Sequence, residues 1–381
     1  MLLFFSSFNM LIPEMNEYIT TLGGEDYKWM ILGLWTVAAA ITRPFSGKIA
    51  DNISRKSVMY IGVIISVIVS FSYPFFMNVA GFLFLRFLHG FSTGFQPTGA
   101  TALIADVIPE GKRGEAMGIF GITITIGFSL GQALGSTVKA AFEMEGLFIT
   151  CGVLGLISIL LITGIKENKK LVKQNAIDKG YHSLYNKVIP KRDEIVGKEV
   201  LQPSVIMFLS ANVAGVYFLL VPDFSQHLGI ENKGMFFLVN VLIVVFTRFI
   251  AGRFVDLWGA RRNLYVSLSV LVIGCLVTGS AQSESHFLLS SLVYGFGAAI
   301  GSPAIMAWTA DIANPVFKGR GMGTMFIALE LGFLSGNFFG QMIYDNNPNN
   351  FFNAFLFAAV LGALGVIYLI LTKKKKAAAL N

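Results

Sequence analysis

Charge is scarce in this sequence. Asp, Glu, Lys and Arg make up only 13% of its 381 residues and hydrophobic residues 54%, whereas a soluble domain is about a quarter charged. So few polar groups cannot cover a globule with a wetted surface, which excludes a soluble fold and leaves lipid as the solvent. Cysteine is nearly missing too. Cys151 and Cys275 stand alone inside apolar runs, outside any metal-ligand spacing, and read as small core hydrophobes. No Gly-x-x-x-x-Gly-Lys-Ser/Thr occurs: Gly47-Lys48, Gly111-Lys112 and Gly197-Lys198 lack the upstream glycine and the hydroxyl residue of a phosphate-binding loop. Direct drive by ATP is thereby disfavoured. No grouping of His, Asp and Cys suits catalysis, so neither a cofactor nor a metal is expected, and no long outer loop remains for a receptor.

What the chain does have is apolar length. A membrane-spanning helix needs on the order of 20 apolar residues, and twelve such runs occur, near 1–20, 29–46, 57–78, 80–105, 115–138, 146–165, 203–222, 234–251, 264–281, 286–309, 320–343 and 351–371. The first has no basic segment before it and carries Pro13-Glu14, echoed by Pro222-Asp223 at the end of the seventh. It is therefore expected to be a helix of the mature protein and not a cleaved signal.

The excess of basic residues is placed asymmetrically. With the amino terminus inside, the inner side receives Lys48, Arg55, Lys56, Lys112, Arg113, the lysines of 166–198, Arg253, Arg261, Arg262, Lys318, Arg320 and Lys373 to Lys376, while the outer side keeps Lys28, Lys139 and Lys233. That bias predicts cytoplasmic termini by the positive-inside rule, and the net charge of +7 then needs no nucleic acid to explain it. The Lys373 to Lys376 tail is expected to touch anionic lipid.

A charged stretch from Arg43 to Lys56 returns from Arg248 to Arg262, with Arg43 and Arg248, Gly47 and Gly252, and Asp51 and Asp256 each 205 residues apart. The same interval relates Gly90 to Gly295, Asp106 to Asp311, and Gly127, Gly131 and Gly135 to Gly332, Gly336 and Gly340. Half of the chain is thus a copy of the other half. The expected fold is all-α and integral to the membrane, twelve transmembrane helices as two six-helix bundles related by a parallel repeat. The boundaries are 1–165, a cytoplasmic linker at 166–200, a second bundle at 201–372 and a basic tail at 373–381, in a chain expected to be monomeric.

These residues resemble the major facilitator superfamily over essentially the whole chain. Gly47, Asp51, Arg55 and Lys56 match the family's loop signature, with Ser54 where a glycine is usual, and Gly252, Asp256, Gly259, Arg261 and Arg262 match its second copy. Arg86 followed by Gly90 and Gly94 is similar to the family's fourth-helix arginine motif. Gly121, Gly127, Gly131 and Gly135 resemble the glycine-rich fifth-helix motif of the drug/proton antiporters, with Gln132 where that motif carries proline. The resemblance implies a secondary transporter.

Physical roles can be assigned to candidates. Asp51 and Asp256 sit at inner helix ends, where a carboxylate meets a neighbouring helix's amino-terminal amides. Arg55 or Lys56 could pair with Asp106, and Arg261 or Arg262 with Asp311, as latches that close and open with the inner gate. Glycines four apart let backbones approach, which suits either plain tight packing or a surface on which each half slides against the other. Arg86 and Glu330 break the repeat, facing Ser291 and Thr125 in the other copy, and a charge inside a membrane helix costs several kcal/mol unless it faces a cavity or a partner. Glu330, near the middle of its run, is the candidate for proton coupling or substrate contact, with Arg86, His89, Gln132 and Asn337 beside it. Glu14 and Asp223 are candidates for an outer vestibule, and Phe8, Phe128, Phe333 and Trp308 for an apolar cavity wall.

Two transport readings stay open. One is proton-coupled efflux of small amphiphilic or drug-like molecules; the other is proton-coupled import of a sugar, peptide or other small metabolite, which would want more buried polar side chains than this chain offers.

Overall fold

The computed structural model describes residues 1–107, 113–167, 183, 185, 188–190, 196–312 and 318–378; side chains are not described at 51, 104–107, 113–119, 249–258, 310, 318–320, 322 and 373–378. The described chain is helix and short turns. It divides into two compact units, Met1–Val196 and Gly197–Asn381. Seven helical stretches among the described residues are long and apolar enough to cross a membrane: Arg55–Phe75, Phe120–Thr163, Lys198–His227, Ala260–Gly279, Glu284–Thr309, Gly323–Tyr344 and Pro348–Thr372.

In the first unit the helices are α1 (Leu2–Asn9), α2 (Ile12–Thr21), α3 (Lys28–Asn52), α4 (Arg55–Ser72), α5 (Val79–Val107) and α6 (Arg113–Thr163). The first apolar run is thus two helices. Pro13, in the first turn of α2, has no N–H to return to the carbonyl four residues back at Asn9, so the ladder breaks there. The fifth and sixth runs lie on one continuous helical segment, interrupted at Glu143 with φ 60 and ψ −173, a conformation that costs an ordinary residue of order 1–3 kcal/mol. α6 packs on α1 and α4, and α5 on α3 and α4.

The second unit comprises α7 (Leu201–His227), α8 (Met235–Trp258), α9 (Ala260–Gly279), α10 (Glu284–Ile312), α11 (Lys318–Tyr344) and α12 (Phe351–Ala378). Here α11 packs on α7, α10 on α8 and α9, and α12 on α9. Its core is aromatic: Tyr217 stacks on Tyr294 at 3.8 Å and Phe224 on Phe351 at 4.2 Å between ring centres. Leucines, isoleucines and phenylalanines such as Ile68, Leu160, Leu242, Phe246 and Leu289 are exposed, as side chains facing acyl chains should be.

The signature stretch is not a loop. Arg43 to Asn52 forms the last turns of α3, and Arg55 already begins α4. Between them Ser54 is extended (φ −172), and its Oγ accepts from the Ser57 N–H at 3.0 Å, an N-cap of a kind that contributes about 1 kcal/mol. In the second copy a single residue, Gly259, joins α8 to α9, and its φ of 75 is one that glycine adopts freely. The departure at Ser54 therefore follows from backbone shape: an extended turn calls for a capping hydroxyl and has no use for a glycine.

Candidate functional site

Arg86 is wholly buried on α5. Its Nε donates to the Ile31 carbonyl of α3 at 3.1 Å, and its Nη1 to the Tyr73 hydroxyl at 3.5 Å; no carboxylate among the described residues lies in ion-pair reach. His89, one turn along, is equally buried, with Nδ1 3.3 Å from the Tyr73 hydroxyl and Nε2 3.0 Å from Ser66 Oγ. Arginine can only donate. The Tyr73 oxygen therefore accepts from Arg86, its proton is free to point at His89 Nδ1, and Nε2–H donates to Ser66, which suits the neutral imidazole. Tyr73 is held in place by stacking on Phe148 at 4.7 Å. Sequence reasoning had Arg86 and His89 but not Tyr73 or Ser66, which lie on α4 and the turn after it.

In the same unit Glu14 is buried on α2. It accepts from Lys139 Nζ at 2.9 Å and from Ser136 Oγ at 2.6 Å, and the same Lys139 reaches Glu17 at 2.8 Å. The carboxylate expected to face a vestibule is instead half of an ion pair tying α2 to α6. Its counterpart Asp223, near the end of α7, is partly buried.

Each unit also carries a charged cluster at its signature stretch. The Glu167 carboxylate caps α4: it accepts from Ser54 Oγ at 2.7 Å and from the Arg55 and Lys56 amides, where the helix dipole favours a negative charge. The Arg55 guanidinium donates to the Ala50 carbonyl, and Lys56 Nζ to the carbonyls of Thr163 and Ile165, each at 2.8 Å. In the second unit Arg261 Nη2 donates to the Leu369 carbonyl at 3.0 Å and to Thr372 Oγ1 at 2.6 Å, and its guanidinium lies 5.2 Å from the Trp308 ring centre. The pairing of Arg261 with Asp311 does not form here, because the late carbonyls of α12 lie within its reach; Arg262 and Asp311 are exposed. Trp308 therefore carries a cation where the sequence suggested an apolar cavity wall. Gly47 has open space around it among the described residues. The side chains of Asp51, Asp106 and Asp256, and residue Gly252, lie outside the described side chains, as does most of the 166–200 linker.

The spaced glycines also find their partners. A β-carbon at Gly127 or Gly131 would stand 2.6 Å from the carbonyl of Leu2 or Ser6, and one at Gly135 would collide with that of Met10. In the second unit Gly332 and Gly336 abut the Phe208 and Asn212 carbonyls in the same way. These close contacts join α6 to α1 and α11 to α7, each within its unit, as the tight-packing reading expects. A four-residue repeat of glycine on one helix against carbonyls on another is a packing seam.

Beside these glycines sit Gln132 on α6 and, in the other unit, Asn337 on α11, both wholly buried; Glu330 is 4% exposed at mid-length of α11. Both amide atoms of Gln132 and the Oδ1 of Asn337 have no hydrogen-bond partner. Cys151 and Cys275 are free and buried. Among the described residues no group of acids, histidines and cysteines could hold a metal.

The family model described as "Major Facilitator Superfamily" matches residues 1–278 and 203–381. Among curated relatives, the multi-drug resistance efflux pump PmrA of Streptococcus pneumoniae is 27% identical, over 88% of this chain and 84% of its own. The quinolone resistance protein NorA of Staphylococcus aureus is 24% identical over 100% of this chain and 96% of its own. Among solved structures, the human organic anion transporter MFSD10 superposes with a TM-score of 0.72 at 18% identity, covering 97% of this chain and 96% of that one. A point mutant of the nucleoside transporter NupG gives 0.74 at 16% identity with the same coverage.

Proposed function

This chain belongs to the major facilitator superfamily, and from that premise we propose that it exports small amphiphilic molecules across the membrane in exchange for protons. It is a multi-pass membrane protein and a secondary transporter of small molecules, in a family of transporters and not of enzymes. Export is supported by relatives of nearly full-length coverage that are named for multidrug efflux and quinolone resistance.

The coupling assignment rests on one observation. Glu14 and Glu330 are the buried carboxylates among the described residues, and Glu14, in the first turn of α2, is paired with Lys139. Glu330 lies at mid-length of a helix that packs along a glycine seam, at the depth where secondary transporters place substrate and ion sites. A proton taken up by Glu330 from one side and released to the other drives the cycle.

The twelve-span architecture belongs to the same proposal. Helix pairs recur between the units in the order that a duplication requires: α1 with α6 as α7 with α11, α3 with α5 as α8 with α10, α4 with α5 as α9 with α10. Two six-helix bundles, with both termini and the linker inside, tilt in turn to expose the path to each face. The Gly47 to Lys56 and Gly252 to Arg262 stretches latch the inner side, Asp51 and Asp256 at their centre.

Import of a small anionic metabolite is the competing reading. It is favoured by the Arg86 guanidinium, which is buried with no carboxylate among the described residues in reach. Proteoliposomes free of ATP separate the readings. A lipophilic cation that leaves the compartment facing the inner surface when the opposite compartment is acidified supports export, and an anion entering with the proton supports import.

A further inference from the structure

The seam between α1 and α6 holds polar atoms that the packing does not need. On the glycine-seamed helices a phenylalanine is four times followed at the fourth residue by a side-chain amide, Phe5 and Asn9, Phe128 and Gln132, Phe208 and Asn212, Phe333 and Asn337; a fifth such pair, Phe236 and Asn240, lies on α8, where Asn240 donates to the Ser291 carbonyl instead. The four amides fall on α1, α6, α7 and α11, the glycine-seamed helices of the two units, and all are at most 2% exposed. In the three asparagines Nδ2 is spent on the carbonyl of the phenylalanine itself, at 2.7 Å from Phe5, 3.2 Å from Phe208 and 2.7 Å from Phe333. A helix carbonyl can accept only from the nitrogen end of an amide, so the chemistry fixes which end is left over. The oxygen is presented away from its own helix.

In the first unit Asn9 packs on α6 at Gly131, the residue before Gln132: the β-carbon of Asn9 lies 3.0 Å from where a β-carbon on Gly131 would stand. Asn9 Oδ1, Gln132 Oε1 and Gln132 Nε2 are all buried with no partner. An unpartnered buried polar group is destabilising, and such groups are few in native proteins. The backbone adds to the set: α1 ends at Asn9 because Pro13 has no N–H for the Asn9 carbonyl, and broken helices inside apolar runs are tolerated where protein or a cavity meets the freed group. Aromatic rings flank the pair. Phe5, Phe8 and Phe128 stand 5.5 to 6.5 Å apart, centre to centre, and Trp35, 5.6 Å from Phe8, has its own Nε1–H buried and unpartnered.

We propose that Asn9 and Gln132 form the polar end of a ligand subsite in the first unit, which takes the N–H-bearing end of an amphiphile whose apolar body lies on the rings of Phe5, Phe8 and Phe128. The chemistry selects the headgroup. Three oxygens, Asn9 Oδ1, Gln132 Oε1 and the Asn9 carbonyl, stand beside the neutral N–H groups of Gln132 and Trp35 and no cation is among them, so an amine, ammonium or amide is favoured over a carboxylate or phosphate. The subsite deepens the export reading and rests on it.

The test uses two lipophilic cations as probes of the full-length protein in nanodiscs: ethidium, which carries aromatic amines, and tetraphenylphosphonium, which has no N–H. Gln132→Met and Asn9→Leu are each expected to weaken ethidium binding about tenfold, one hydrogen bond's worth, while tetraphenylphosphonium affinity changes less than about threefold. Gln132→Glu, which keeps the acceptors and the shape, is expected to hold ethidium at least as tightly as the wild type, and it serves where the apolar variants fail to fold. Equal loss of both probes in variants that fold, weakened ethidium binding by Gln132→Glu, or no ethidium binding by the wild type overturns the subsite. A wild type that binds ethidium with the expected selectivity but does not pump it in vesicles overturns the export reading and leaves the subsite standing.

Discussion

Arg86 Nε donates to the main-chain oxygen of Ile31 at 3.1 Å, so the charge of α5 is held by the backbone of α3. A backbone carbonyl can satisfy one donor of a guanidinium without neutralising it. The Arg86 environment stays positive, with Tyr73, His89 and Ser66 ranged along it.

Replacing Arg86 by lysine keeps the charge but loses the planar fork that reaches Ile31 and Tyr73 at once. Arg86→Lys is expected to insert normally and to lower transport about tenfold, the equivalent of one charge-assisted hydrogen bond. Transport per molecule of protein, measured against surface expression, checks this; wild-type rates would show that the fork does not matter.

The Glu14 to Lys139 pair makes a stability prediction. Lys139→Met leaves a nearly buried carboxylate with the Ser136 hydroxyl, and because the lysine itself is partly exposed the expected loss is discounted to about 1–3 kcal/mol. Glu14→Gln in the same chain should recover part of it. Thermal unfolding in detergent reads both, and an additive double variant would refute the coupling.

Two glycines of the signature motifs are expected to behave oppositely. Gly131→Ala pushes a methyl into the Ser6 carbonyl and should cost about 1–3 kcal/mol by overpacking. Gly47→Ala meets open space and removes a poor helix former from inside α3, so it should leave the fold as stable or up to about 1 kcal/mol more so. If Gly47 also serves a gate that closes in another state, transport falls while the melting temperature does not. Asp51→Asn should do the same, and unchanged transport in both would dispose of the latch.

Much of this organisation was legible in the sequence and some was not. Apolar runs, the repeat interval and the basic asymmetry are properties of composition along the chain, and no folded geometry is needed to read them. The break at Asn9 was not read, although Pro13 carries a local signal for it: the run 1–20 was expected as one helix and is two. The partners of Arg86, Glu14 and Arg261 were not legible, because a carbonyl such as that of Ile31 or Leu369 leaves no mark on side-chain identity. Hydrophobic periodicity could not supply them either: a helix surrounded by lipid and protein is apolar on every face, so its pattern does not say which side meets which neighbour. The subsite amides lay between these cases. The recurrence of phenylalanine and amide four residues apart was on view in the sequence, but only the structure distinguishes the spent nitrogen of Asn9 from its idle oxygen.

Inverted membrane vesicles test the central claim most directly. An imposed gradient, acid inside, should drive ethidium into vesicles carrying the wild-type chain, and Glu330→Gln should abolish that dependence on the gradient while leaving the protein folded. Accumulation that persists undiminished in Glu330→Gln, or that occurs only in right-side-out vesicles, would contradict it.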